Sequence, residues 1–124
     1  MHKAREDAVA LVESLVKYIG NYENADMVLC PSFTNLDAVH NITSSSNIEL
    51  GAQNMYFEPH GAYTGEISAE MLKSVGCEYV IVGHSERRRY FGETNKTVNK
   101  KIKVALENYL IPIMCVGEKL EERE

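Results

Sequence analysis

The sequence predicts an α/β fold, parallel strands alternating with helices. Four short apolar runs, 26–30, 47–54, 78–83 and 110–117, each follow a segment with helical apolar spacing. No hairpin turn signal joins any run to the next. The runs are also close to continuously apolar, the pattern of strands in a parallel sheet that carries helices on its faces.

Residues 4–20 place Ala8, Leu11, Val12, Leu15, Val16 and Ile19 at steps of three and four. That spacing makes one apolar helical stripe, which Gly20 and Asn21 stop. "DMVLC" is the first strand, closed by Pro31, which has no amide to donate to a ladder. Leu36, Val39 and Ile42 mark a short helix over 35–45, and "NIELGAQN" is the second strand. "MYFEPHGAYTGE" then reads as a turn-rich loop. Ser68 opens a helix with Met71, Leu72 and Val75 on its inner side and Gly76 at its C-terminal end. "EYVIVG" is the third strand. Thr94 caps a helix whose inner stripe is Val98, Ile102, Ala105 and Leu106. "LIPIMCVG" is the fourth strand, with Pro112 near its start, and "EKLEERE", 118–124, is a charged solvated run.

With 124 residues, 44% of them hydrophobic, the chain has the length and apolar content for one domain over 1–124. Thirteen basic against 18 acidic residues give a formal net charge of -5. Nucleic acid is therefore not the expected partner, because a phosphate backbone needs a basic face. No apolar stretch approaches the roughly 20 residues of a spanning helix, and "MHKARED" lacks the apolar segment of a secretory signal. The expectation is a cytoplasmic chain with no membrane partner. Cys30, Cys77 and Cys115 are odd in number, far apart and free of C-x-x-C spacing, so they read as small buried hydrophobes.

The chemistry concentrates in "YVIVGHSERRRYFGE", 79–93. Ligands of α/β folds gather at the C-terminal ends of the strands, where His84 falls. The competing reading is a histidine that only satisfies hydrogen bonds at a strand end. Ser85 is placed as a helix N-cap, so the ring faces free amides and the positive end of a helix, which favours the uncharged form. A neutral imidazole there can donate one N–H to a substrate carbonyl and polarise it.

Other chemistries fit less well. A nucleophile elbow, G-x-S-x-G, needs glycine where Arg87 stands. His2, His40, His60 and His84 show no metal-ligand spacing. Neither phosphate-binding glycine pattern is present. Arg87, Arg88 and Arg89 point in different directions on a helix, and at least one is expected to pair with Glu86 or Glu93.

"ELGAQNMYFEPHGAYTGEISAEMLKSVGCEYVIVGHSERRRYFGE" and "IMCVGEKLEERE" resemble the triosephosphate isomerase family, and the likeness runs along essentially the whole chain. The resemblance implies a (β/α)8 barrel, interconversion of dihydroxyacetone phosphate and D-glyceraldehyde 3-phosphate in glycolysis and gluconeogenesis, a cytoplasmic homodimer, and no cofactor or metal. It implies that His84 is the neutral electrophile, a case that is itself a standard example of acid–base tuning. Ser85 supports the site, Glu86 pairs with a lysine, and Cys115 lies near the catalytic glutamate. Tyr63, Thr64, Gly65 and Glu66 match the loop that enters the neighbouring subunit.

A full barrel takes about 250 residues. The resemblance begins after the family's first strand and ends after its fifth, so the expected structure is about half of a barrel. The family's first-strand lysine, its glutamate base and its later phosphate loops have no counterpart here. Such a fragment is expected to be inactive alone. The alternative from another class is a noncatalytic α/β fragment that acts only as an assembly or interaction module.

Overall fold

The computed structural model describes residues 1–123. Its elements follow in the order α1 (Arg5–Ile19), β1 (Met27–Leu29), α2 (Leu36–Thr43), β2 (Ile48–Ala52), α3 (Ala69–Ser74), β3 (Tyr79–Val82), α4 (Ser85–Tyr90), α5 (Asn95–Glu107), β4 (Ile111–Met114) and α6 (Leu120–Arg123). A 3-10 turn, Phe33–Asn35, leads into α2. All four predicted strands form, each shorter than its apolar run. The charged run 118–124 contributes only α6, and Glu124 lies outside the described residues.

The strands make one sheet in the order β1-β2-β3-β4, with every neighbouring pair parallel. Each crossover thus advances by a single strand, the progression that a β/α barrel repeats around its circumference. The helix ends follow local chemistry. The Ser68 hydroxyl accepts from the Met71 N–H at 3.2 Å, and Thr94 forms a capping box with Thr97. Gly76, at φ +91°, ends α3.

The core lies between the sheet and its helices. Leu50, Ala52, Val80 and Val82 pack with Val12, Val39, Leu72, Val98, Ala105 and Leu110. Because side chains alternate across a strand, Tyr79 and Ile81 face the other side of the sheet and are only half-buried. On β4, Ile111 is 51% exposed and Ile113 38%. Only one face of this parallel sheet is covered, whereas parallel sheets ordinarily bury both.

The predicted stripes are wider than the faces actually buried. Leu11, Ile19, Met71 and Leu106 keep their helical spacing but are exposed. Cys77 is fully buried as expected, whereas Cys30 and Cys115 are only partly covered.

Candidate active site

Three strand ends converge on one edge of the sheet. From β2 the chain continues through Gln53, whose amide donates to the Cys30 carbonyl at 2.9 Å, and Asn54. From β3 it continues through Gly83 to His84. From β4 it continues to Cys115, whose N–H donates to the Val82 carbonyl at 2.9 Å. That last bond sets Cys115 alongside the strand end that carries His84.

Gly83 makes the turn at φ +71°, a left-handed conformation that only glycine adopts without strain. The Arg88 Nε–H donates to the Gly83 carbonyl at 2.9 Å and fixes the turn from below. The N-cap of α4 is then His84 itself, at ψ 142°, and Ser85 is the first helical residue. This corrects the expectation for Ser85. The Glu86 backbone N–H donates to His84 Nδ1 at 3.2 Å, so the imidazole performs the capping usually left to a hydroxyl or carboxamide.

That bond decides the tautomer. A backbone N–H can only donate, so Nδ1 must offer its lone pair, and the neutral ring carries its proton on Nε2. Nε2–H is then free to donate to a carbonyl oxygen. His84 is partly open to solvent, its side chain 41% exposed, and the Glu86 carboxylate lies 3.7 Å from Nδ1 on the capping side of the ring. Among the described residues no lysine pairs with Glu86.

The three arginines diverge as predicted. Arg87 lies over the Phe91 ring, 4.9 Å from its centroid, with Nε 3.8 Å from Glu93. Arg88 bonds Gly83 and Asn95, and Arg89 stacks on Tyr90 at 5.1 Å. None converges on a common anion position.

The segment from Tyr56 to Ile67 is a self-packed surface loop whose base is closed by a 2.8 Å bond from the Tyr56 N–H to the Ile67 carbonyl. Tyr63 packs its ring 4.8 Å from that of Tyr56, and Thr64, Gly65 and Glu66 form the exposed tip. Among the described residues no hydrogen bond or ion pair joins these four to His84 or Cys115. Sequence reasoning placed Glu93 beside the arginines, where Arg87 meets it, but missed its burial with Asn54 and Lys101, all three hydrogen-bonded together. The available signal was Lys101, a cation three residues from Val98 on the inner stripe of α5. No three side chains of metal-binding type cluster among the described residues.

Burial raises the Cys30 thiol above its ordinary range. The Cys77 thiol is pushed up to about 11, chiefly by burial and secondarily by Cys30 and Glu78. Neither behaves as an activated nucleophile.

Comparison with known proteins agrees along the full chain. The family model for triosephosphate isomerase matches residues 1–124. Triosephosphate isomerase of Moorella thermoacetica is 54% identical over all of this chain, which covers 49% of that relative, and that of Clostridium tetani is 52% identical, with 48% covered. The crystal structure of triosephosphate isomerase from Bartonella henselae superposes with a TM-score of 0.91 at 36% identity, over 99% of this chain and 51% of that one. The chain thus spans about half the length of the relatives it matches, and its four-stranded sheet is about half of a (β/α)8 barrel. Matched from end to end by one family model, and at more than half of its residues by curated relatives, the chain belongs to the triosephosphate isomerase family.

Proposed function

We propose that this chain carries the electrophilic half of an aldose–ketose isomerase site, acting on dihydroxyacetone phosphate and D-glyceraldehyde 3-phosphate. The observation behind this is the bond from the Glu86 N–H to His84 Nδ1, which leaves Nε2–H as a donor at the strand end. In the reaction a proton leaves the hydroxyl-bearing carbon next to the carbonyl, negative charge builds on the carbonyl oxygen, a proton is delivered to the former carbonyl carbon, and the hydroxyl proton passes to the former carbonyl oxygen. His84 Nε2–H donates to that oxygen and stabilises the enediolate. Ser85, Glu86 and Cys115 line the surroundings of the ring. A base for the carbon acid is required as well, and no residue of 1–124 is assigned to it. The 124 residues alone are therefore inactive, and no cofactor or metal takes part.

The loop tip Tyr63, Thr64, Gly65 and Glu66 meets a second subunit of a homodimer, and the setting is glycolysis and gluconeogenesis in the cytoplasm. A noncatalytic assembly module is the second reading, favoured by the uncovered apolar face that shows Ile111 and Ile113.

The test is a chimera in which residues 1–124 replace the matched half of the Moorella thermoacetica relative, assayed in a coupled reaction with glyceraldehyde 3-phosphate. The chimera turns over, and His84→Ala lowers kcat/KM by about 100- to 10,000-fold, the weight of one positioned proton donor. Equal turnover with and without the imidazole would remove His84 from the mechanism. A folded but inactive chimera would favour the assembly reading.

A further inference from the structure

Helix α4 has six residues and buries none of them. So short a helix is unstable by itself, and with no buried side chain it takes nothing from hydrophobic packing. What places it is polar. Arg88 holds its start through the Gly83 carbonyl, and its far end meets Glu93.

Glu93 contacts that end twice. Its N–H donates to the Arg87 carbonyl at 3.2 Å, and its carboxylate faces Arg87 Nε at 3.8 Å. The carboxylate is almost wholly enclosed, its side chain 2% exposed, and its other oxygen is bonded by Lys101 Nζ, itself 7% exposed. Lys101 Nζ also donates to Asn54 Oδ1 at 2.9 Å. One buried carboxylate therefore joins α4, α5 and the segment leaving β2. A buried ion pair adds little to stability over an apolar pair of the same shape. What it does supply is one fixed arrangement of the elements that carry it.

We propose that Glu93 is a positioning residue for His84: its buried carboxylate, held by Lys101 and facing Arg87, fixes α4 so that the imidazole keeps its single capped pose with the proton on Nε2. Through Asn54, two residues before the Tyr56–Ile67 loop, the same cluster ties that pose to the loop's entry. The proposal deepens the isomerase reading in naming what the pose is for, but the pose itself can be measured without turnover.

The experiment is a long-range proton–nitrogen NMR correlation of the His84 ring in 15N-labelled chain 1–124, comparing wild type with Glu93→Gln. Wild type shows the Nε2–H tautomer. In Glu93→Gln the tautomer ratio moves toward that of a free imidazole by about tenfold, the equilibrium weight of one hydrogen bond. Glu93→Asp, which keeps the charge, falls between the two. Should Glu93→Gln not fold, Arg87→Met cuts the contact at the α4 end, leaves Glu93 paired with Lys101, and shifts the ratio in the same direction. An unchanged tautomer ratio in a folded Glu93→Gln or Arg87→Met chain overturns the proposal. In the chimera, Glu93→Gln lowers kcat with KM little changed. If the unsubstituted chimera is inactive while the tautomer still responds, the isomerase reading fails and the positioning role stands.

Discussion

Gly83→Ala attacks the turn that delivers His84, and the geometry there sets its cost. At φ +71° an L-residue carries about 1–2 kcal/mol of left-handed strain. The added methyl would also sit 3.0 Å from Arg88 Nη2 and 3.1 and 3.3 Å from the two Val98 methyls. Val98 is buried in the core, and Arg88 is held at 2.9 Å by the Gly83 carbonyl and at 2.8 Å by Asn95, so neither retreats freely. Crowding of that kind costs about 1–3 kcal/mol, and the sum is about 2–5 kcal/mol. Gly92 separates the two terms. Its φ is +66°, and nothing lies within 4 Å of a methyl placed there. Gly92→Ala should therefore lose only the strain, about 1–2 kcal/mol. The assay is urea unfolding followed by far-ultraviolet circular dichroism, where a slope of about 1–3 kcal/mol per molar makes the difference a midpoint shift of roughly 1 M. Equal losses at the two glycines would refute the packing argument. A loss below about 0.5 kcal/mol at Gly92 would refute the strain argument as well.

Tyr109 is the one described non-glycine residue at positive φ, +59°, and it is 84% exposed. Tyr109→Gly relieves the strain while removing little packing, and against glycine's own entropic cost it should gain about 0.5–1 kcal/mol, seen as a higher Tm. Cys77 offers a pH test. Its thiol is pushed up to about 11, so the folded chain keeps it neutral through pH 8 and the thiolate fraction grows only as pH climbs toward that value. Iodoacetamide at pH 8, with sites read by mass spectrometry, should leave Cys77 unmodified until urea unfolds the chain. Labelling of native Cys77 at the rate of partly covered Cys115 would contradict its burial.

Local signals in the sequence suffice where the chemistry is local. The apolar run "YVIV" became β3, Ser68 and Thr94 cap the helices they precede, and Gly76 takes the left-handed position after α3. Reading failed where a neighbour decides. Hydroxyl preference points to Ser85 as the cap of α4, yet the Gly83 turn brings His84 to that position one residue earlier. Met71 and Leu106 have the spacing of inner residues, but no neighbouring element among the described residues covers them and both are exposed. Glu93 was legible as an arginine partner, but its pairing with Lys101 was not. A hydropathy pattern scores each as surface, and only the fold reveals that the two charges bury each other.

The uncovered face of the sheet includes the strand that leads to His84. Strands β3 and β4 are apolar at successive positions, the composition of strands buried on both faces. The helices cover Val80 and Val82, while Ile111 and Ile113 remain in contact with solvent. Those isoleucines make physical sense as residues selected for a second layer over the sheet. His84 leaves the C-terminal end of β3, the strand whose Tyr79 and Ile81 face that layer. Its capping nitrogen is already occupied, which leaves Nε2–H as the ring's donor. If the proposed isomerase reading holds, a second layer over Ile111 and Ile113 would stand beside the strand that leads to His84. A His84 pose held by α4 through Glu93, as proposed, would make the orientation of the imidazole independent of contacts on the open face.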